Sequence, residues 1–189
     1  NWFMGTHPIS AWGFGFRARR PAGNQYDFFS VDYEFPGGVR IHSTCRQIDG
    51  CSRWVGEHLV GEKGITRCAG GLQPSKPVIP AEIPQNRSGH QQEHINMLYY
   101  LIKGKILNEA ENVAVATATA VMGRISAYTG QQIFWVDMME DPKRKPELYN
   151  LQLKPTAEDY ERGEVQIPKE GVIAIPGVPA GARRRRRRA

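Results

Sequence analysis

The stretch Arg46-Gln47-Ile48-Asp49-Gly50-Cys51-Ser52-Arg53-Trp54 gathers binding chemistry in nine residues: two guanidinium forks, an amide, a hydroxyl and an aromatic plate. Arginine pairs with carboxylate or hydroxyl oxygens in a fixed planar geometry, and an indole face stacks on the C–H face of a sugar ring. Arg46, Gln47, Ser52, Arg53 and Trp54 are therefore the candidate contacts for a sugar or polyol acid, set against the plainer reading of a solvated surface loop.

Other constellations carry less. Gly13-Phe14-Gly15-Phe16-Arg17-Ala18 fits the dinucleotide pattern G-x-G-x-x-A, with Asp32 near the distance of a ribose-binding acid. That fingerprint needs a helix opening at its third small residue, whereas this segment alternates like a strand and runs into Arg20-Pro21. His42, Cys45, Cys51 and His58 have zinc-ligand types. His42 and Cys45, however, lie an odd number of residues apart on one predicted strand and point to opposite faces. Glu93 and His94 are adjacent on a predicted helix, about 100° apart, and do not form an acid/base pair. No metal site is expected.

The elements that must hold these residues can be read from periodicity. Alternation from Ile9 to Arg19 predicts a strand with Trp12, Phe14, Phe16 and Ala18 on one face. Asp27 to Phe35 and then Val39 to Cys45 alternate on either side of Pro36-Gly37-Gly38, a β-hairpin with a three-residue loop. If Phe35 pairs with Val39, Glu34 faces Arg40 and Asp32 faces His42, opposite-charge pairs that fix the register. Further strands are expected over Trp54 to Val60 and Ile65 to Cys68, joined by Gly61-Glu62-Lys63-Gly64, and an irregular connection over Gly70 to Ser88.

Helix follows. Ile95, Leu98, Tyr99 and Ile102 form an apolar stripe stopped at Gly104. In a second helix Asn108 and Glu111 stand at capping-box positions, and Val113, Ala116, Thr117, Ala120 and Val121 give a face of small residues for close approach to a sheet. Gly130 closes that helix, and Gln132 to Val136 is a short final strand. The fold class is α/β of the α+β type, a largely antiparallel open sheet backed by helices on one face. A single domain over 1–136, an extended arm over 137–175 and a disordered tail over 176–189 complete the expected organisation.

Composition narrows the function classes. The 189 residues suit one ordinary domain, and no apolar run approaches the roughly 20 residues of a membrane helix. The formal charge of +6 is that of Arg183 to Arg188, so the remainder is near neutral and the run predicts only non-specific nucleic-acid contact. Three cysteines without a CxxC point to reduced thiols and a cytoplasmic setting.

The run from Glu93 to Gly130, EHINMLYYLIKGKILNEAENVAVATATAVMGRISAYTG, with Val60-Gly61-Glu62-Lys63-Gly64 and the opening Asn1-Trp2-Phe3-Met4-Gly5, resembles the C-terminal domain of the Gfo/Idh/MocA oxidoreductases. The resemblance covers the chain to about Val136. It implies an N-terminal Rossmann domain that binds NAD or NADP, and catalytic residues lying upstream of Asn1. It implies a sugar or polyol substrate held between the two domains, and a homo-oligomer formed through the open sheet. By the same resemblance the loop before the Val60 strand lines the substrate pocket, with Arg53, Trp54 and Arg46 first and His94 retained. The alternative is a non-catalytic interaction module with a dimerising sheet and a basic tail for nucleic acid or anionic surfaces.

Overall fold

Three stretches in which bulky apolar residues fall on alternate positions, separated by turns that contain glycine and proline, give the molecule its principal sheet. The computed structural model describes residues 1, 3–21, 23, 25–62, 64–67, 81–86, 88–139, 161–163 and 173–178. Strands β1 (Ser10–Phe16), β2 (Phe28–Glu34) and β3 (Arg40–Arg46) pair antiparallel, and the two-residue β6 (Ile133–Phe134) pairs with β1. The sheet order is β3-β2-β1-β6. As the charge pattern requires, Asp32 is opposite His42 and Glu34 opposite Arg40, and the Phe35 N–H donates to Val39 O at 2.8 Å across the Pro36–Gly38 turn.

Two compact units divide the chain: Asn1–Gly50 with Ala110–Ala189, and Cys51–Glu109. The first contains the four-stranded sheet. Its helix α2 (Ala110–Thr129), 20 residues long, packs on β1 and β2, and the short α3 (Trp135–Met139) follows β6. The second contains a two-stranded ladder, β4 (His58–Gly61) with β5 (Gly64–Arg67), and helix α1 (Gly89–Ile102). The architecture is mixed α and β with an antiparallel sheet.

The packed face of α2 differs from the expected one. Val113, Ala116, Thr117, Ala120 and Val121 are all exposed, and the buried face runs through Met122, Gly123, Ile125 and Ser126, with Val115 and Ala118 beside it. Both stripes have helical period, so periodicity alone could not choose. The choice rests on contacts. A Cβ added at Gly123 would collide with the Tyr33 hydroxyl, and Ser126 Oγ accepts the Gly13 N–H at 2.9 Å while donating to Gln131 O at 2.6 Å. Met122 and Ile125 then close a core with Ala11, Val31, Tyr33, Phe35, Ile133, Trp135 and Met138. Burial of this kind contributes about 25 cal/mol per Å² of apolar surface. It also pushes the Tyr33 phenol up to about 12, with Cys45 adding a smaller repulsion.

Smaller differences have local causes. Helix α2 begins at Ala110, one residue later than a cap at Asn108 would place it. The expected strand over Gln132 to Val136 stops at Phe134, because Trp135 enters α3 while its N–H still reaches Ile9 O at 2.9 Å. Trp54 to Glu57 is not strand, and β4 starts at His58. On α1 the apolar stripe is only partly covered: Ile95 and Tyr99 are half-buried, whereas Ile102 is 81% exposed. The buried side chain of α1 is Gln92, which accepts from the Asn86 N–H at 2.6 Å and donates to Pro84 O and Asn96 Oδ1.

The boundaries expected at 136 and 175 fall inside the first unit, at α3 and at the segment 173–178. That segment lies against the end of α2. Tyr26 Oη donates to Ala174 O at 2.7 Å and the Gly177 N–H donates to Thr129 O at 2.9 Å. Most of the expected arm, the tail from 179 onward including Arg183 to Arg188, Cys68 and most of the Gly70 to Ser88 connection lie outside the described residues.

The glycine contact can be tested directly. Gly123→Ala is expected to lower stability by about 1–3 kcal/mol through overpacking. Adding Tyr33→Phe, which removes the colliding hydroxyl, should recover part of it. Equal denaturation midpoints for wild type and Gly123→Ala would show that α2 does not sit this close to β2.

Candidate functional site

The sheet has a face covered by α2 and a face turned away from it. Along β1 the alternation Ala11, Gly13, Gly15 points to α2 and is buried, so the bulky set Trp12, Phe14 and Phe16 points outward. Trp12 is 67% and Phe14 66% exposed. Gly13 and Gly15, the glycines of the dinucleotide-like pattern, are strand residues that keep β1 close to β2: a Cβ at Gly13 would stand 2.8 Å from Val31 Cγ2.

Register places polar groups beside this aromatic column. Trp12 is opposite Asp32, which is opposite His42; Phe14 is opposite Ser30, which is opposite Thr44. Hydrogen bonds join the middle of the array. His42 Nδ1 lies 2.6 Å from Asp32 Oδ1, and His42 Nε2 lies 3.3 Å from Ser30 Oγ. Next to it Arg40 and Glu34 form an ion pair at 3.4 Å, and Ser10 Oγ donates to Glu34 at 3.3 Å.

The six residues expected to bind substrate are distributed between the units. Arg46 ends β3 and Gln47 follows it, with its N–H donating to Asp27 O at 2.8 Å; both belong to the first unit. Ser52, Arg53, Trp54 and His94 belong to the second. Within that unit Trp54 is 68% exposed and meets His58 edge-on, with ring centroids 5.5 Å apart. Its indole lies along Gly56, where a Cβ would come within 3.0 Å. His94 is exposed on α1, and its Nε2 is 4.0 Å from Glu93 Oε1, an ion contact at the limit of reach. Trp54 is thus an exposed ring held in place by His58 and Gly56.

Comparison with protein-family models, with curated proteins and with solved structures returned no match. Among the described residues no group of three His, Cys, Asp or Glu side chains is arranged to hold a metal ion. Cys45 and Cys51 are free thiols, and no described helix is long and apolar enough to cross a membrane.

Sequence reasoning found the Asp32–His42 pair as a register marker and passed over Ser30. The signal was present: Ser30 and Asp32 are two apart on one strand and so share a face, and the same register puts His42 within diagonal reach of Ser30. What alternation did not reveal was the ring orientation that engages both imidazole nitrogens.

One end of this sheet is held by the folded loop between β1 and β2. Arg17 donates to the carbonyls of Arg20, Pro21 and Gly23, and the Asp27 carboxylate accepts from the N–H groups of Ala18, Arg19 and Arg20 at 2.7 to 2.9 Å. Burial on its own pushes the Asp27 carboxyl up; the N–H groups of Arg19, Ala18 and Arg20 and its own outweigh that and hold it below the ordinary range. A depressed folded-state value means the stabilisation is present above the ordinary carboxylate value of about 4 and is lost as pH falls through the folded value. Asp27→Asn should therefore cost about 2 kcal/mol at neutral pH, and its stability should decline less steeply than the wild type's on acidification. Urea unfolding across that pH range measures both, and parallel curves would remove Asp27 as the source.

Proposed function

We propose that this chain is the substrate-binding and oligomerising domain of an NAD(P)-dependent oxidoreductase of the Gfo/Idh/MocA type, acting at a CH–OH group of a sugar or polyol derivative. The observation that supports it best is an open antiparallel sheet backed by the helix that carries the NEAEN…MGR…AYTG run. In that helix Gly123 of the MGR triplet makes the close contact with Tyr33, and Gly130 of the AYTG run takes a φ of +71° to end it. Family-signature residues thus coincide with packing needs.

In this reading hydride transfer to NAD or NADP occurs on a preceding Rossmann domain, and this domain supplies the sugar contacts. Arg46, Arg53 and Trp54 are the first choices, with Gln47, Ser52 and His94 beside them. Positioning of this kind is worth orders of magnitude in rate, and without the cofactor domain the chain alone is inactive as an oxidoreductase. The full-length gene product should reduce NAD(P)⁺ with a member of a sugar and polyol panel. Trp54→Ala should raise KM about tenfold or more with a smaller change in kcat. An upstream reading frame lacking a G-x-G-x-x-G strand-turn-helix would sink the assignment.

Association of copies has a route in β3. This strand is an edge of the sheet, and all seven of its residues are exposed. The bonds from Phe35 N to Val39 O and from Gln47 N to Asp27 O fix the odd-numbered residues of β3 as the ones bonded to β2. The N–H groups of Arg40, His42 and Thr44 therefore point away from β2, toward the side where a second strand could add. Thr44→Pro deletes one of these outward donors and spares the bonds to β2. Sedimentation should show concentration-dependent association of the wild type and its loss in Thr44→Pro, with unfolding midpoints close to each other. Association unchanged in the variant would remove the edge as the contact.

The interaction-module reading draws on the Arg183 to Arg188 run. Deleting those residues tests it: polyanion binding that disappears with them is what a tail anchor requires, and binding that survives the deletion counts against the folded part being too weakly charged to bind polyanions itself.

A further inference from the structure

We propose that Ser30, His42 and Asp32 form a second chemical site, a nucleophilic relay that accepts the acyl group of a carboxylic ester on the outward sheet face. This goes beyond the oxidoreductase reading and needs neither NAD(P) nor a second domain.

Surface ladders of opposite charge, such as Glu34 with Arg40 at 3.4 Å, need only one contact. Here the imidazole is engaged at both nitrogens: Asp32 Oδ1 at 2.6 Å from Nδ1, and Ser30 Oγ at 3.3 Å from Nε2. A carboxylate on Nδ1 fixes the tautomer that leaves Nε2 free to take a proton, and a hydroxyl on Nε2 is the group whose proton it would take. The three positions are held by strands rather than loops. Ser30 and Asp32 belong to the central strand β2, and β3 carries His42 directly opposite Asp32.

Neighbours define the substrate class. On β1, Phe14 is opposite Ser30 and Trp12 opposite Asp32, so the hydroxyl stands beside two exposed aromatic plates. They offer flat apolar surface to an ester whose acyl or alcohol part is a ring. On the other side Thr44, opposite Ser30 on the same face, brings a hydroxyl that can donate to a developing oxyanion. Backbone N–H groups of a central strand are engaged in the sheet, so side chains must supply that donation. Losing one oxyanion donor costs about 10² to 10³ in rate, and a slow reaction is expected from a site this open.

The step balances without any further reagent. Ser30 Oγ bonds to the carbonyl carbon as its proton passes to His42 Nε2, with Asp32 stabilising the imidazolium. The C–O bond to the alcohol then breaks, and the Nε2 proton goes to the departing oxygen. Water, giving a proton to the same nitrogen, attacks the acyl-serine and releases the carboxylic acid and the serine hydroxyl.

The full 189-residue chain incubated with 4-nitrophenyl acetate tests this. The expected result is a burst of nitrophenolate with an acetyl mass increment located by peptide mapping on Ser30. Ser30→Ala should abolish the increment at that peptide. His42→Gln, which keeps a polar side chain and removes the base, should slow acylation at least tenfold, and Asp32→Asn should slow it without preventing it. All three changes lie on an exposed or half-exposed sheet face, and matching circular dichroism spectra establish that each variant is folded. No burst, or acetylation confined to lysines and the N-terminus and unchanged in Ser30→Ala, overturns the proposal. Acylation of Ser30 at the same rate in His42→Gln overturns the relay.

Discussion

The first unit depends on how closely α2 lies on β1 and β2. At Gly123 the helix has no side chain, and the Tyr33 hydroxyl occupies the place where one would be. Three residues on, Ser126 is fully buried and accepts the Gly13 N–H, one of the strand amides that would otherwise be lost to water. An unpaired buried N–H costs about 1–3 kcal/mol, so this bond holds the helix in rotation as well as in distance. Met122 and Ile125 can enter the core only in that rotation.

That contact also decides what the other face of the sheet looks like. Beneath the helix β1 carries Ala11, Gly13 and Gly15, and the space a side chain would take at the two glycines is filled by Val31 at Gly13 and by Phe29 and Tyr26 at Gly15. Strand geometry then sends Trp12, Phe14 and Phe16 outward, since neighbours along a strand alternate. Aromatic exposure is therefore a consequence of close packing on the opposite side. Beside those rings β2 and β3 present Ser30, Asp32, Glu34, Arg40 and His42, paired with one another, which keeps the polar half of the face ordered without burying a charge.

The sequence made much of this legible and left a definite part dark. Hairpin register could be read because Asp32 with His42 and Glu34 with Arg40 are complementary in only one alignment, and a one-residue slip would turn every side chain over. The helix stop at Gly130 was visible because a left-handed turn favours glycine. The packed face of α2 was not visible, because Val113, Ala116, Thr117, Ala120 and Val121 repeat with the same period as Val115, Ala118, Met122 and Ile125. Which face of β1 is inside was equally hidden: hydrophobicity favours the aromatic side, and the close approach of a helix favours the glycine side. Arg46 through Trp54 was legible as a binding composition, yet the boundary between the chain's two units falls within it, between Gly50 and Cys51.

Residues 173–178 show why the first unit is not complete at α3. Tyr26 stacks on Tyr128 with centroids 4.1 Å apart, and Phe16 and Phe29 flank it, leaving a phenol oxygen at the end of an aromatic cluster. A buried phenol needs a partner. Ala174 O supplies it, burial with a contribution from Tyr128 pushes the Tyr26 phenol up to about 12, and the proton that makes the bond is thereby retained across the physiological range. The Tyr128 hydroxyl in turn accepts the Tyr26 N–H at 3.0 Å, and Arg124 covers the Tyr128 ring at 4.9 Å. Helix α2, the strand entrance at Tyr26 and the distant segment 173–178 thus share one aromatic junction. The same helix whose Gly123 and Ser126 set the sheet's inner face uses its last turn to fasten a piece of chain more than forty residues further on.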